Sequence, residues 1–145
     1  MAWGLLRADP VCARLGITIE SMGIRAETGS PPVAQAVEVL AERGIDIRMH
    51  RARQATDPAL RKAELILVME KWQQGWIRAR WPELTGRVFL LGHWGGYEIA
   101  DPYGSKPETF RKTLVEIERG TRDWLTRIVS AKEPQAGQGD GSPVS

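Results

Sequence analysis

The chain has 145 residues, 42% of them hydrophobic and 26% charged, with a formal net charge of +2. That length suits one domain with a core of its own, and the composition excludes a chain too polar to fold. Lys and Arg are spread along the chain, which excludes a nucleic-acid surface, and the single cysteine, Cys12, excludes an internal disulfide and any multi-cysteine metal site.

Met1 to Arg7, MAWGLLR, reads as a helix already under way, because no capping residue precedes its apolar positions. Ile17 to Ser21 is short and β-branched and reads as a strand. Glu27 to Pro32 is loop, and Ser30-Pro31 predicts a helix start with proline at the first helical position. Val33, Val37 and Leu40 fall on one face of that helix, and Gly44 ends it. Asp57-Pro58 is expected to cap a second, short helix. Leu65 to Met69 is a continuous apolar run, as in a strand buried on both faces of a parallel sheet.

Lys71 to Arg80 reads as a helix stopped by Pro82, with Trp72 and Trp76 one turn apart. Val88 to Leu91 is a further buried strand, followed by the glycine-rich Gly92 to Gly96. Ser105 and Glu108 have the spacing of a capping box. Phe110, Leu114, Ile117, Trp124 and Ile128 then form the apolar stripe of a long final helix. Lys132 to Ser145 is rich in Gly, Pro, Ser and Gln and reads as a disordered tail.

Strands alternating with helices predict a doubly wound α/β sheet. A site in such a fold lies beyond the carboxyl ends of the strands, in the loops after Ser21, Met69 and Leu91. Asp101-Pro102-Tyr103-Gly104 occupies the last of these. It is either a plain turn or a general acid, Asp101, beside an aromatic wall, Tyr103. His50-Arg51-Ala52-Arg53 is either a solvated connection or an anion-binding cluster. Cys12 has no glycine turn around it and Thr18, not Arg, stands six residues on, so it reads as a small buried hydrophobe. His93 and the six tryptophans read as structural. No apolar run approaches the roughly 18 residues of a membrane span, and the amino end has no apolar leader segment. The expected location is the cytoplasm, with no insertion into a membrane.

The order of these segments resembles the low-molecular-weight protein tyrosine phosphatases. The likeness rests on Ile17 to Gly23, on His50-Arg51-Ala52-Arg53-Gln54, on Leu65 to Glu70, and on two segments similar to the bacterial branch linked to exopolysaccharide production. Those two are Phe89 to Trp94 and Glu98 to Tyr103. The resemblance implies a three-layer α/β fold with a parallel sheet, as a domain over residues 1–130 followed by a tail over 131–145.

It also implies a chemistry. A cysteine thiolate in a cradle of backbone amides attacks phosphotyrosine, and an arginine holds the phosphoryl oxygens. Asp101 protonates the leaving phenolate and then activates water, with Tyr103 against the substrate ring. His50 supports the phosphate loop through a hydrogen bond, and Arg53 ties neighbouring loops together. No metal or other cofactor is required. The implied partner is a tyrosine-phosphorylated protein, such as a bacterial tyrosine autokinase of polysaccharide export.

MAWGLLR resembles the family's helix directly after its Cys-x5-Arg-Ser-Pro loop, usually written Met-Ala-Glu-Gly-Leu-Leu-Arg. The cysteine is therefore expected about nine residues before Met1 and the arginine about three before it. No Cys-x5-Arg occurs in the chain. The resulting expectations are a chain inactive as it stands, lacking the first, interior strand of the sheet, and poorly stable or prone to association when isolated. The reading adopted is a tyrosine phosphatase whose true start lies upstream. The alternatives are a non-catalytic phosphatase-like binding protein and an arsenate reductase, the latter disfavoured by the absence of cysteines after Cys12.

Overall fold

The computed structural model describes residues 1–132. The expected tail, apart from its first residues, lies outside the described residues. The chain folds as α1 (Ala2–Ala8), α2 (Pro10–Arg14), α3 (Ala34–Ala41), α4 (Asp57–Lys62), β1 (Ile66–Val68), α5 (Lys71–Arg80), β2 (Val88–Leu90) and α6 (Pro107–Lys132). Short 3-10 turns occupy Pro82–Arg87 and His93–Gly95.

β1 and β2 pair in parallel, with Ile66 opposite Val88 and Val68 opposite Leu90. The pleat then sorts their side chains between two layers. Ile66, Val68, Val88 and Leu90 pack with Ile77, Trp81 and Leu84 of α5 and the turn after it. Leu65, Leu67, Met69 and Phe89 face the other way, onto Ile117 and Trp124 of α6 and onto the start of α1. A third cluster joins α3 to α6 through Val39, Leu40, Phe110 and Leu114. This is the three-layer α/β arrangement with a parallel sheet that the resemblance implies, with the core in two apolar seams on either side of the sheet and a third under α3.

Four local expectations are corrected. Ile17 to Ser21 keeps a strand's alternation, Ile17 and Ile19 half-buried against exposed Thr18 and Glu20, but forms no ladder. A single isolated bridge, Gly23 with Gln54, follows it, and among the described residues no neighbouring strand offers the segment a continuous edge. The helix expected from Ser30-Pro31 begins three residues later, with Val33 as its cap. Ser30 instead exchanges backbone bonds with Glu27 and Ala52, which holds it in the loop. Asp57 is the first residue of α4 rather than its cap, and its carboxylate is taken by Arg61 and Trp81. Ser105 lies before the cap of α6, since the first amides of that helix bond to the Lys106 carbonyl.

Ala2 to Ala8 is helical, as MAWGLLR suggests, and the helix stops because Asp9 turns to ψ 124 ahead of Pro10. Asp9 then caps α2 by accepting from the Val11 amide at 2.9 Å.

Candidate functional site

The carboxyl ends of the two strands set the site. Beyond β2, the Leu91 amide donates to the Val68 carbonyl at 2.7 Å, and the Ile99 amide donates to the Met69 carbonyl at 3.0 Å. The returning chain is thus laid along the end of β1, with Ile99 buried as its anchor. Two side chains pin the intervening loop to α6. Trp124 Nε1 donates to the Leu90 carbonyl at 3.1 Å and Tyr97 Oη to the Glu116 carbonyl at 2.9 Å. Glu98 reaches back to accept from the Lys71 amide at 2.7 Å. Asp101, two residues past the anchor, is therefore delivered to the rim above the sheet.

Asp101 is exposed, and one of its oxygens, Oδ1, accepts from the Tyr103 amide at 3.0 Å. The loop is a turn closed by its own aspartate. Tyr103 projects outward, 74% exposed, as a side wall rather than a packed residue.

The Met1 amino group is held below its ordinary range by burial, and the negative charge of Asp101 opposes that shift. The same amino group also acts on His50. His50 follows a turn in which its amide bonds to the Ile47 carbonyl at 3.0 Å. Its Nε2 lies 2.9 Å from Ser21 Oγ, and its ring packs 4.2 Å from that of Trp3. Burial pushes the imidazole below its ordinary value, and the Met1 amino group, Arg53, Arg51 and Arg7 push it further the same way.

Arg53 lies on the flank. Its side chain meets Glu20 at 3.5 Å and its carbonyl accepts from the Gly23 amide at 2.8 Å. The Gln54 side chain accepts from the Ala26 amide at 3.0 Å and donates to the Ile24 carbonyl. The segment 50–55 thus clamps the loop 20–30 through backbone bonds and the Gln54 side chain.

Cys12 sits away from this constellation, 2% exposed in α2, with burial and Asp9 both raising its thiol. Such a thiol is protonated at neutral pH and is not a nucleophile. His93 packs in an aromatic group with Phe89, Trp94 and Trp124. The sequence reading missed Trp3 and Ser21 as neighbours of His50. Grouping all six tryptophans as packing hid the first, and nothing local to Ser21 pointed to a histidine 29 positions on.

The arrangement is an exposed carboxylate on one loop and, on another, an imidazole fixed between Ser21 and Trp3 with arginines acting on it. It suits a small dianion beside a group that can take and return a proton.

Comparison with known proteins shows the family. The sequence model described as low molecular weight phosphotyrosine protein phosphatase matches residues 4–134. A probable low molecular weight protein-tyrosine-phosphatase, EpsP of Ralstonia solanacearum, is 44% identical over 128 residues, 88% of this chain and 86% of its own length. The low molecular weight protein-tyrosine-phosphatase Wzb of Escherichia coli K12 is 37% identical over 113 residues, 77% of each. Among solved structures, Vibrio vulnificus Wzb in complex with benzylphosphonate superposes with a TM-score of 0.79 at 30% identity, covering 87% of both chains.

Proposed function

This chain belongs to the low molecular weight phosphotyrosine protein phosphatase family, and on that premise we propose that it carries the acid–base half of a phosphotyrosine-hydrolysing site. The single observation that supports this most is Asp101, tethered by its own loop just beyond the carboxyl ends of the strands.

In the reaction, a cysteine thiolate attacks phosphorus in line and the bond to the tyrosine oxygen breaks. Asp101 gives its proton to that oxygen. Water then attacks the phosphocysteine, Asp101 takes the water's proton, and thiolate and inorganic phosphate are released. Tyr103 lies along the substrate ring, and His50 and Arg53 hold the loops that frame the phosphate. The substrate is a tyrosine-phosphorylated protein, and the exopolysaccharide-linked likeness favours a tyrosine autokinase as that partner. The cytoplasm is the proposed compartment. No described helix is long and apolar enough to cross a membrane.

One observation favours a second reading for the 145 residues by themselves. Their only thiol is buried and protonated, so as a separate polypeptide they bind without turning over.

The test is hydrolysis of p-nitrophenyl phosphate and of a phosphotyrosyl peptide by two proteins. The chain alone is expected to release no phosphate above buffer. The same chain carrying a family strand and Cys-x5-Arg-Ser-Pro loop ahead of Met1 is expected to turn over. Asp101→Asn in that longer protein is expected to lower kcat by about 10²–10⁴-fold. Thiol-dependent turnover by the chain alone would overturn the second reading. An extended protein indifferent to Asp101→Asn would overturn the first.

A further inference from the structure

His50 sits with one ring nitrogen on Ser21 and one ring face against Trp3. Trp3 is half-buried and does not simply fill the core. It packs at the edge of the cluster formed by α3 and α6, and its ring lies at 34° to the imidazole with centroids 4.2 Å apart. Arg7, one helical turn further along α1, lies over the same indole at 4.9 Å. The result is a layered group, Arg7, Trp3, His50 and Ser21, drawn from α1, the turn after Ile47 and the unpaired segment 17–22.

We propose that Trp3 is a positioning residue for His50: its indole covers the imidazole face and keeps Nε2 on Ser21 Oγ. The inference rests on the phosphatase reading for its use, since that reading needs a fixed imidazole beside the phosphate site. A bare hydroxyl–imidazole bond leaves the ring free to flip about its outer bond. A large flat surface against one face, itself held by a cation, removes that freedom.

The cover also excludes water, which disfavours the charged ring. The charges that act on His50 come from each side. The Met1 amino group and Arg7 lie at the two ends of α1, and Arg51 and Arg53 follow His50 in its own segment, where Arg53 also pairs with Glu20 of the unpaired segment. All four cations act in the same direction as the cover.

The experiment is a pH titration of the two histidines of the full chain by long-range ¹H–¹⁵N spectroscopy, which reports both protonation and tautomer. Trp3→Ala is expected to raise the His50 midpoint by about half a unit or more and to mix its tautomers. Trp3→Phe, which keeps a flat cover, is expected to hold both near the parent values. His93, in a separate aromatic group, is the internal reference and is expected not to move. Should Trp3→Ala fold poorly, Trp3→Leu keeps the apolar packing toward α3 but offers no flat face, and the tautomer mixture is expected there too. A His50 midpoint and tautomer unchanged in the folded variant would overturn the proposal. Activity does not enter this readout, so its failure leaves the phosphatase reading intact, and loss of that reading leaves the titration result standing.

Discussion

Two helical glycines have opposite surroundings, and the same substitution is expected to act on them with opposite sign. Gly75 is exposed in the middle of α5, and a methyl group there meets nothing within 4 Å. Gly75→Ala therefore gains only helix propensity, about 0.8–1.0 kcal/mol of added stability. Gly120 is buried in α6 where that helix crosses the exit of β2. A methyl group there falls 2.9 Å from both Leu91 Cγ and the Leu91 carbonyl oxygen, and 3.3 Å from the carbonyl carbon. The side chain could rotate away, but the backbone cannot, because the Leu91 amide is bonded to Val68 and the next residues lead into the Asp101 loop. Overpacking of this kind costs about 1–3 kcal/mol. The propensity gain is common to both variants and cancels between them, so their difference isolates the contact. Urea unfolding followed by circular dichroism is expected to place Gly75→Ala above the parent and Gly120→Ala below Gly75→Ala by about 1–3 kcal/mol. Equal midpoints for the two variants would refute the claim that α6 is seated backbone-to-backbone on the strand exit.

Three further outcomes follow from the same contacts. Trp124→Phe removes the donor to the buried Leu90 carbonyl and part of the side chain packed on Leu91 and Ile99, and is expected to cost about 2–4 kcal/mol by the same unfolding assay. His50 has its folded pKa depressed below 6.5, so the unfolded state binds more protons as the pH falls. Its contribution to stability is full above pH 6.5 and lost as the pH falls through the folded value. Melting temperatures between pH 7 and 5 are expected to fall, with a shallower slope in His50→Asn. Val68 turns its backbone groups toward β2, so those of Leu67 point to the other edge of β1, where no strand pairs among the described residues. Light scattering is expected to show concentration-dependent association of the isolated chain, and a sharp two-state melt of a strict monomer would count against it.

Much of the architecture is legible in local sequence. The helix from Lys71 to Arg80, the two apolar strands and the stripe along the last helix follow from periodicity, because burial of one face dictates it. Helix starts are less legible. Ser30, Asp57 and Ser105 all carry good capping chemistry, yet each is engaged elsewhere or lies outside the first turn, since tertiary bonds compete for the same side chains. Ile17 to Ser21 shows the limit most clearly. Its alternation is intrinsic to its residues, but a strand exists only when a second backbone stands beside it.

The site divides in the same way. By itself the sequence determined the family to which the order of its segments belongs, and it singled out Asp101 with its turn and the His50 to Gln54 run as candidates. Tertiary structure alone decided that His50 is sandwiched between Ser21 and Trp3, that Arg53 serves Glu20 and the neighbouring loop, and that Cys12 is sealed inside α2. Residue type and spacing constrain the local backbone within a turn or two. Partners 29 and 47 positions away are chosen by how layers pack, and that is a property of the whole core.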